Sequence, residues 1–129
     1  MLKELLFIFS KNIKIIFSDI KIHHTLFALP FAVMSAFLAA EGLPRWSVLM
    51  WVFFAMFGAR NAAMGFNRIV DSKIDKLNPR TKGRALPAGK LSVNFYWFFL
   101  FVSSVLFVFS AFKLNQLAFM LSPAALVIV

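Results

Sequence analysis

Two apolar runs, Trp46 to Phe66 and Leu91 to Phe112, each hold about twenty residues, enough for a helix to cross the hydrocarbon core of a bilayer. In lipid every backbone polar group must be satisfied within the spanning structure, so runs of this kind leave a helix bundle as the natural fold. Thr25 to Ala40 is a shorter apolar run, extended by Ile22–His24 and Glu41–Gly42 and interrupted by Pro30, whose kink a bundle tolerates. Glu41-Gly-Leu-Pro44-Arg45 and Lys113 to Asn115 read as turns. Asn115 to Val129 is apolar to the last residue. The expectation is an all-α, multi-span transmembrane helical bundle with spans at about 24–42, 46–66, 91–112 and 115–129, truncated in its fourth span.

Composition agrees: 61% of residues are hydrophobic, eighteen are Phe and only 15% are charged. The absence of cysteine excludes a disulfide framework and thiol chemistry. A net charge of +9 could suit nucleic acid, but its placement argues for the lipid bilayer as partner and against nucleic acid. Lys3, Lys11, Lys14 and Lys21 precede the first span, and Arg68, Lys73, Lys76, Arg80, Lys82, Arg84 and Lys90 lie between the second and third. Only Arg45 and Lys113 mark the opposite side, so the positive-inside rule places the N-terminus and segment 67–90 in the cytoplasm. Residues 1–22 alternate apolar and basic at helical spacing, as an interfacial amphipathic helix does. His23 and His24 belong to that interface and have no further ligands in the chain for a transition-metal site.

The chemistry concentrates where the second span ends. Asn67, Asp71 and Asp75 are spaced Asn-x3-Asp-x3-Asp, and each helical step of four residues advances about 400°, which puts the three on one shallow stripe. Two carboxylates and an amide oxygen suit a hard divalent cation such as Mg²⁺. The cations around them, Arg68, Lys82 and Arg84 among them, suit a diphosphate. A solvated helix end and a topology signal are the plain structural readings of the same residues. Arg60 lies seven residues before Asn67 on nearly the same face, about 10 Å deeper. An Arg inside a span is a functional candidate, here for the acceptor substrate, with a salt bridge elsewhere in the bundle as its structural alternative.

The run Asn67-Arg-Ile-Val-Asp71-Ser-Lys-Ile-Asp75, followed by Asn78-Pro-Arg-Thr-Lys-Gly-Arg84-Ala-Leu-Pro87-Ala-Gly89, resembles the first aspartate-rich motif and following loop of the UbiA-type intramembrane prenyltransferases. His24 to Pro30 and Gly58-Ala-Arg60-Asn-Ala-Ala-Met64 are similar to its 4-hydroxybenzoate polyprenyltransferase branch, which includes bacterial enzymes of menaquinone synthesis. The resemblance implies a bundle of about nine spans, of which about four fall here. It implies Mg²⁺-dependent transfer of a polyprenyl group from polyprenyl diphosphate to an aromatic acid acceptor, in quinone (ubiquinone or menaquinone) biosynthesis at a bacterial inner membrane. By position, Asn67, Asp71 and Asp75 would hold Mg²⁺–diphosphate, and Lys82 and Arg84 would contact the phosphates. Ala85 stands where many members carry proline, a branch difference. The family's second aspartate-rich motif lies in later helices, so the resemblance implies that this chain without those helices is inactive.

Two other classes fit less well. A CDP-alcohol phosphotransferase also sets aspartates at a membrane edge, but with Asp-Gly and Ala-Arg between its acids, whereas Ser72 follows Asp71 and Lys76 follows Asp75. A transporter or a non-catalytic membrane subunit should carry its acids at mid-membrane, and here only Arg60 is deep.

Overall fold

The computed structural model describes residues 1–128; Val129 and the side chain of His24 lie outside the described residues, and with them the last residue of the expected fourth span and the His24 expectation. The chain is all-helical: α1 (Leu2–Asp19), a 3-10 turn (Ile22–His24), α2 (Thr25–Ala39), α3 (Trp46–Leu77), α4 (Val93–Leu114) and α5 (Gln116–Ile128). By length and composition α3 and α4 can cross a membrane, and α2 and α5 are shorter apolar helices. Pro30 and Pro123 sit inside α2 and α5.

The helix that carries the stripe runs through Leu77, as the spacing of Asn67, Asp71 and Asp75 requires, and the irregular part of segment 67–90 begins at Asn78. A helix of 32 residues is about 48 Å long against about 30 Å of hydrocarbon. With Trp46 at one interface, its last three turns therefore project beyond the opposite one. No breaker stops the helix before Asn78-Pro79, and Pro79 disfavours helical geometry at the residue before it.

α3 packs most closely on α4, and the sequence shows why. Gly58, Asn61, Ala62, Gly65 and Arg68 recur at three- and four-residue steps and are the buried residues of the span and its first extramembrane turn. A Cβ on Gly58 would stand 2.8 Å from both the Phe107 nitrogen and the Ser103 carbonyl oxygen, closer than backbone atoms allow. Small residues at such a crossing let two membrane helices gain dispersion contacts that larger side chains would prevent.

The buried core sits at the basic end. Ile16 of α1 and Ile20 just after it meet Tyr96 and Phe99 of α4 and Ala85 and Leu91 of the loop. Phe17 adds edge-to-face contacts with Phe57 and Phe99. The loop is wound tightly: Arg80 N–H donates to Asn78 Oδ1 at 3.0 Å, and Lys82 N–H to the Asn78 carbonyl at 2.9 Å. Lys90 N–H donates to the Ala85 carbonyl at 2.8 Å, and Gly89 supplies the positive φ of 70° that the turn requires. Ser92 then caps α4, its hydroxyl accepting from Phe95 N–H at 3.2 Å.

Candidate functional site

The extramembrane end of α3 carries the stripe as its spacing requires, but the three side chains meet different surroundings. Asn67 is exposed. Asp71 is half-buried and makes no hydrogen bond or ion pair among the described residues. Asp75 is buried, and Nη1 of Arg84 donates to both its carboxylate oxygens at 2.9 and 2.7 Å. Thr81 Oγ1 donates to the Asp75 backbone carbonyl at 3.2 Å, which ties the last helical turn to the loop. Asp75 lies beyond the hydrocarbon by the length argument above. Burial pushes its carboxyl up, and the hydrogen bonds and charge of Arg84 more than offset this, so it titrates below the ordinary carboxylate range.

The cations expected around a diphosphate divide in the same way. Lys82 is exposed and free of ion pairs, and Arg84 is half-exposed on Asp75. Arg68 is turned inward. Its Nε donates to Asp19 Oδ2 at 3.2 Å and its Nη2 to the Asp19 backbone carbonyl at 2.9 Å. The same carboxylate accepts the Ala85 N–H at 2.8 Å and the Tyr96 hydroxyl at 2.6 Å. One acid thus joins α1, α3, α4 and the loop behind the candidate site, and Arg68, expected to bind diphosphate, serves there as a partner of Asp19.

Sequence reasoning overlooked Asp19 and Tyr96. A signal existed: the chain has five acids against fourteen Lys and Arg. In such a balance an acid set among basic residues has strong electrostatic reason to be paired. Tyr96, the chain's only tyrosine, is fully buried and needs a partner for its hydroxyl.

Within the span, Nε of Arg60 is shielded and has no hydrogen-bond partner among the described residues. Its neighbour Asn61 is 1% exposed, and its Oδ1 is likewise unpartnered. Two such groups side by side are costly, and they mark this level of α3 as incomplete among the described residues.

The donors fit a hard divalent cation along one wall. Among the described residues no three His, Cys, Asp or Glu side chains come together. The Asn67 and Asp71 oxygens stand open one turn apart, while both oxygens of Asp75 are held by Arg84. Mg²⁺ is commonly held by one or two carboxylates, with substrate phosphates and water filling the remaining positions, and this donor set is adequate for that role.

The model of the UbiA prenyltransferase family matches residues 28–129. The chain is 36% identical over 99 residues to a 4-hydroxybenzoate octaprenyltransferase of Vibrio parahaemolyticus, covering 74% of the chain and 34% of that protein. It is 31% identical over 97 residues to a protoheme IX farnesyltransferase of Marinobacter nauticus, covering 74% of the chain and 32% of that protein. The apo structure of a UbiA homolog from Aeropyrum pernix superposes with a TM-score of 0.76 at 38% identity, over 82% of the chain and 38% of that structure. The chain thus spans about a third of the length of the relatives it matches.

Proposed function

The chain belongs to the UbiA prenyltransferase family, and on that premise we propose that it supplies one wall of a membrane-edge site that transfers a polyprenyl group from polyprenyl diphosphate to an aromatic acceptor such as 4-hydroxybenzoate. One observation carries the reading: Asp71 is a half-buried carboxylate without a partner among the described residues, one helical turn from the open Asn67 and one from the Asp75–Arg84 pair. An unpaired carboxylate in a chain of net charge +9 is conspicuous, because cations to neutralise it abound. A bound Mg²⁺ would neutralise the diphosphate and stabilise the charge that develops on its departing oxygen.

The chain's own residues would do the rest. Asn67 and Asp71 orient the head group at the helix end. Lys82 and Arg84 approach it from the loop, with Arg84 exchanging one anion, the Asp75 carboxylate, for another. That exchange also frees the Asp75 oxygens for the cation. Arg68 contributes through Asp19, which fixes the loop at Ala85 beside Arg84. Arg60, deeper on the same stripe, offers an unpartnered donor to a carboxylate or hydroxyl of the acceptor. The basic end faces the cytoplasm in this reading, at the inner membrane of a bacterium.

The farnesyltransferase relative favours a second acceptor, protohaem, on the same diphosphate site. Binding and turnover separate the two. The chain in nanodiscs should bind farnesyl diphosphate in a Mg²⁺-dependent manner by calorimetry, and Asp71→Ala should abolish that binding while insertion is retained. Undiminished binding in the mutant rejects the site. When the chain is joined to the remaining helices of its octaprenyltransferase relative, prenylation of 4-hydroxybenzoate or of protohaem identifies the acceptor.

A further inference from the structure

A second basic feature adjoins the same loop and leaves out the open end of the stripe. The last turn of α1 and the segment 80–90 enclose a pocket of about 630 Å³ whose lining includes Lys14, Lys21, Arg80 and Lys90 but neither Asn67 nor Asp71. None of these four cations meets a carboxylate among the described residues. The one acid in the lining, Asp19, is already committed to Arg68, Ala85 and Tyr96. Lys90 Nζ donates to the Gly83 carbonyl at 3.3 Å, which leaves it further donors. Ser18 adds a hydroxyl to the wall, whereas that of Thr81 is already given to the Asp75 carbonyl. Four unpaired cations with a hydroxyl beside them form a receptor for a phosphate group.

The rest of α1 indicates what carries that phosphate. Lys3, Lys11 and Lys14 fall within about 80° of arc, on the side that leads into the pocket. Around the corner, the apolar face that buries Ile16 and Ile20 continues outward as Leu2, Leu6 and Phe9, at 70%, 59% and 48% exposure. A molecule that satisfies both sides carries a phosphate beside hydrocarbon. We propose that the pocket is a head-group site for an anionic phospholipid, whose phosphate bridges α1 and the loop while its chains lie against the outer half of α1. Arg84 also lines this pocket, so the site adjoins the proposed diphosphate site and shares that side chain with it, while Asn67 and Asp71 lie outside it.

The test uses the whole chain in phosphatidylcholine nanodiscs doped with phosphatidylglycerol, and reads the enrichment of phosphatidylglycerol around the protein by mass spectrometry. The triple variant Lys14→Gln/Lys21→Gln/Arg80→Gln should lose that preference by roughly a hundredfold. All three side chains are exposed, and circular dichroism checks that the helices persist. The variant Lys14→Arg/Lys21→Arg/Arg80→Lys should keep the preference. A control that removes three cations outside the pocket, Lys3→Gln/Lys11→Gln/Lys76→Gln, should lose far less. Equal loss in the neutralised triple and the control would reduce the pocket to general surface charge and overturn the proposal. Displacement of the lipid by inorganic pyrophosphate, with pyrophosphate binding lost in the same triple, would assign the pocket to a diphosphate substrate and also overturn it. Unchanged phosphatidylglycerol enrichment in the neutralised triple would overturn it outright.

Discussion

Arg68 and Asp75 lie seven residues apart on nearly the same face of α3, yet each meets its opposite charge in a different setting. The side chains of Arg68 and Asp19 are both 7% exposed, and the pair is reinforced by the Tyr96 hydroxyl, the Ala85 N–H and a second bond from Arg68 to backbone. Every donor around that carboxylate comes from a different element, so the pair cannot open without parting α1, α3, α4 and the loop. In the Asp75–Arg84 pair the acid is 9% exposed and the guanidinium 30%, and Arg84 stands on the loop, nine residues along the chain from its partner. A cation on a loop, half in water, can leave one anion for another at modest cost. The first pair is enclosed by the elements it joins, and the second is open to water on its loop side.

Breaking the first pair should have the largest effect. Asp19→Ala leaves Arg68 buried and uncompensated and takes a partner from Tyr96 and Ala85, a loss of about 3–5 kcal/mol. Thermal unfolding of the reconstituted chain should show it, and a small shift would mean that the scaffold does not depend on this knot. Arg84→Gln should cost less, about 2 kcal/mol, because Asp75 can regain water at the loop edge. It should also weaken diphosphate binding, which the Asp19 variant should impair only in proportion to unfolding. The exposed pair should also show its contribution in pH. Asp75 has a depressed carboxyl, so its contribution is complete above the ordinary carboxylate value of 3.8 and is lost as pH falls through its lower folded value. Wild type and Arg84→Gln should therefore keep their difference at pH above 3.8 and converge only as pH falls through the lowered folded value of Asp75. The smallest effect should be that of Tyr96→Phe, about 1 kcal/mol, because Asp19 keeps Arg68 and Ala85. A loss equal to that of Asp19→Ala would make the tyrosine, and not the arginine, the centre of the knot.

The two pairs were not equally visible in the sequence. Helical spacing alone put Asn67, Asp71 and Asp75 on one stripe, and hydropathy alone placed α3 and α4. The resemblance to the prenyltransferase motif drew attention to Arg84. The inward turn of Arg68 had no local sign, because its neighbours on α3 are compatible with either direction.

What the sequence determined by itself are the properties that depend on near neighbours. These are the helical class, the apolar lengths that match a bilayer and the charge asymmetry of the two ends. Each follows from periodicity or composition over a few turns. What only the tertiary structure decided is which charges are spent and which remain available. Asp19 meets Arg68 across 49 residues and Tyr96 across 77, and no local pattern encodes contacts at such separations. Pairing depends on which helix faces come together once the chain is packed. That arrangement buries Arg68, shields Asp75 with Arg84 and leaves Asp71 without a hydrogen bond or ion pair among the described residues.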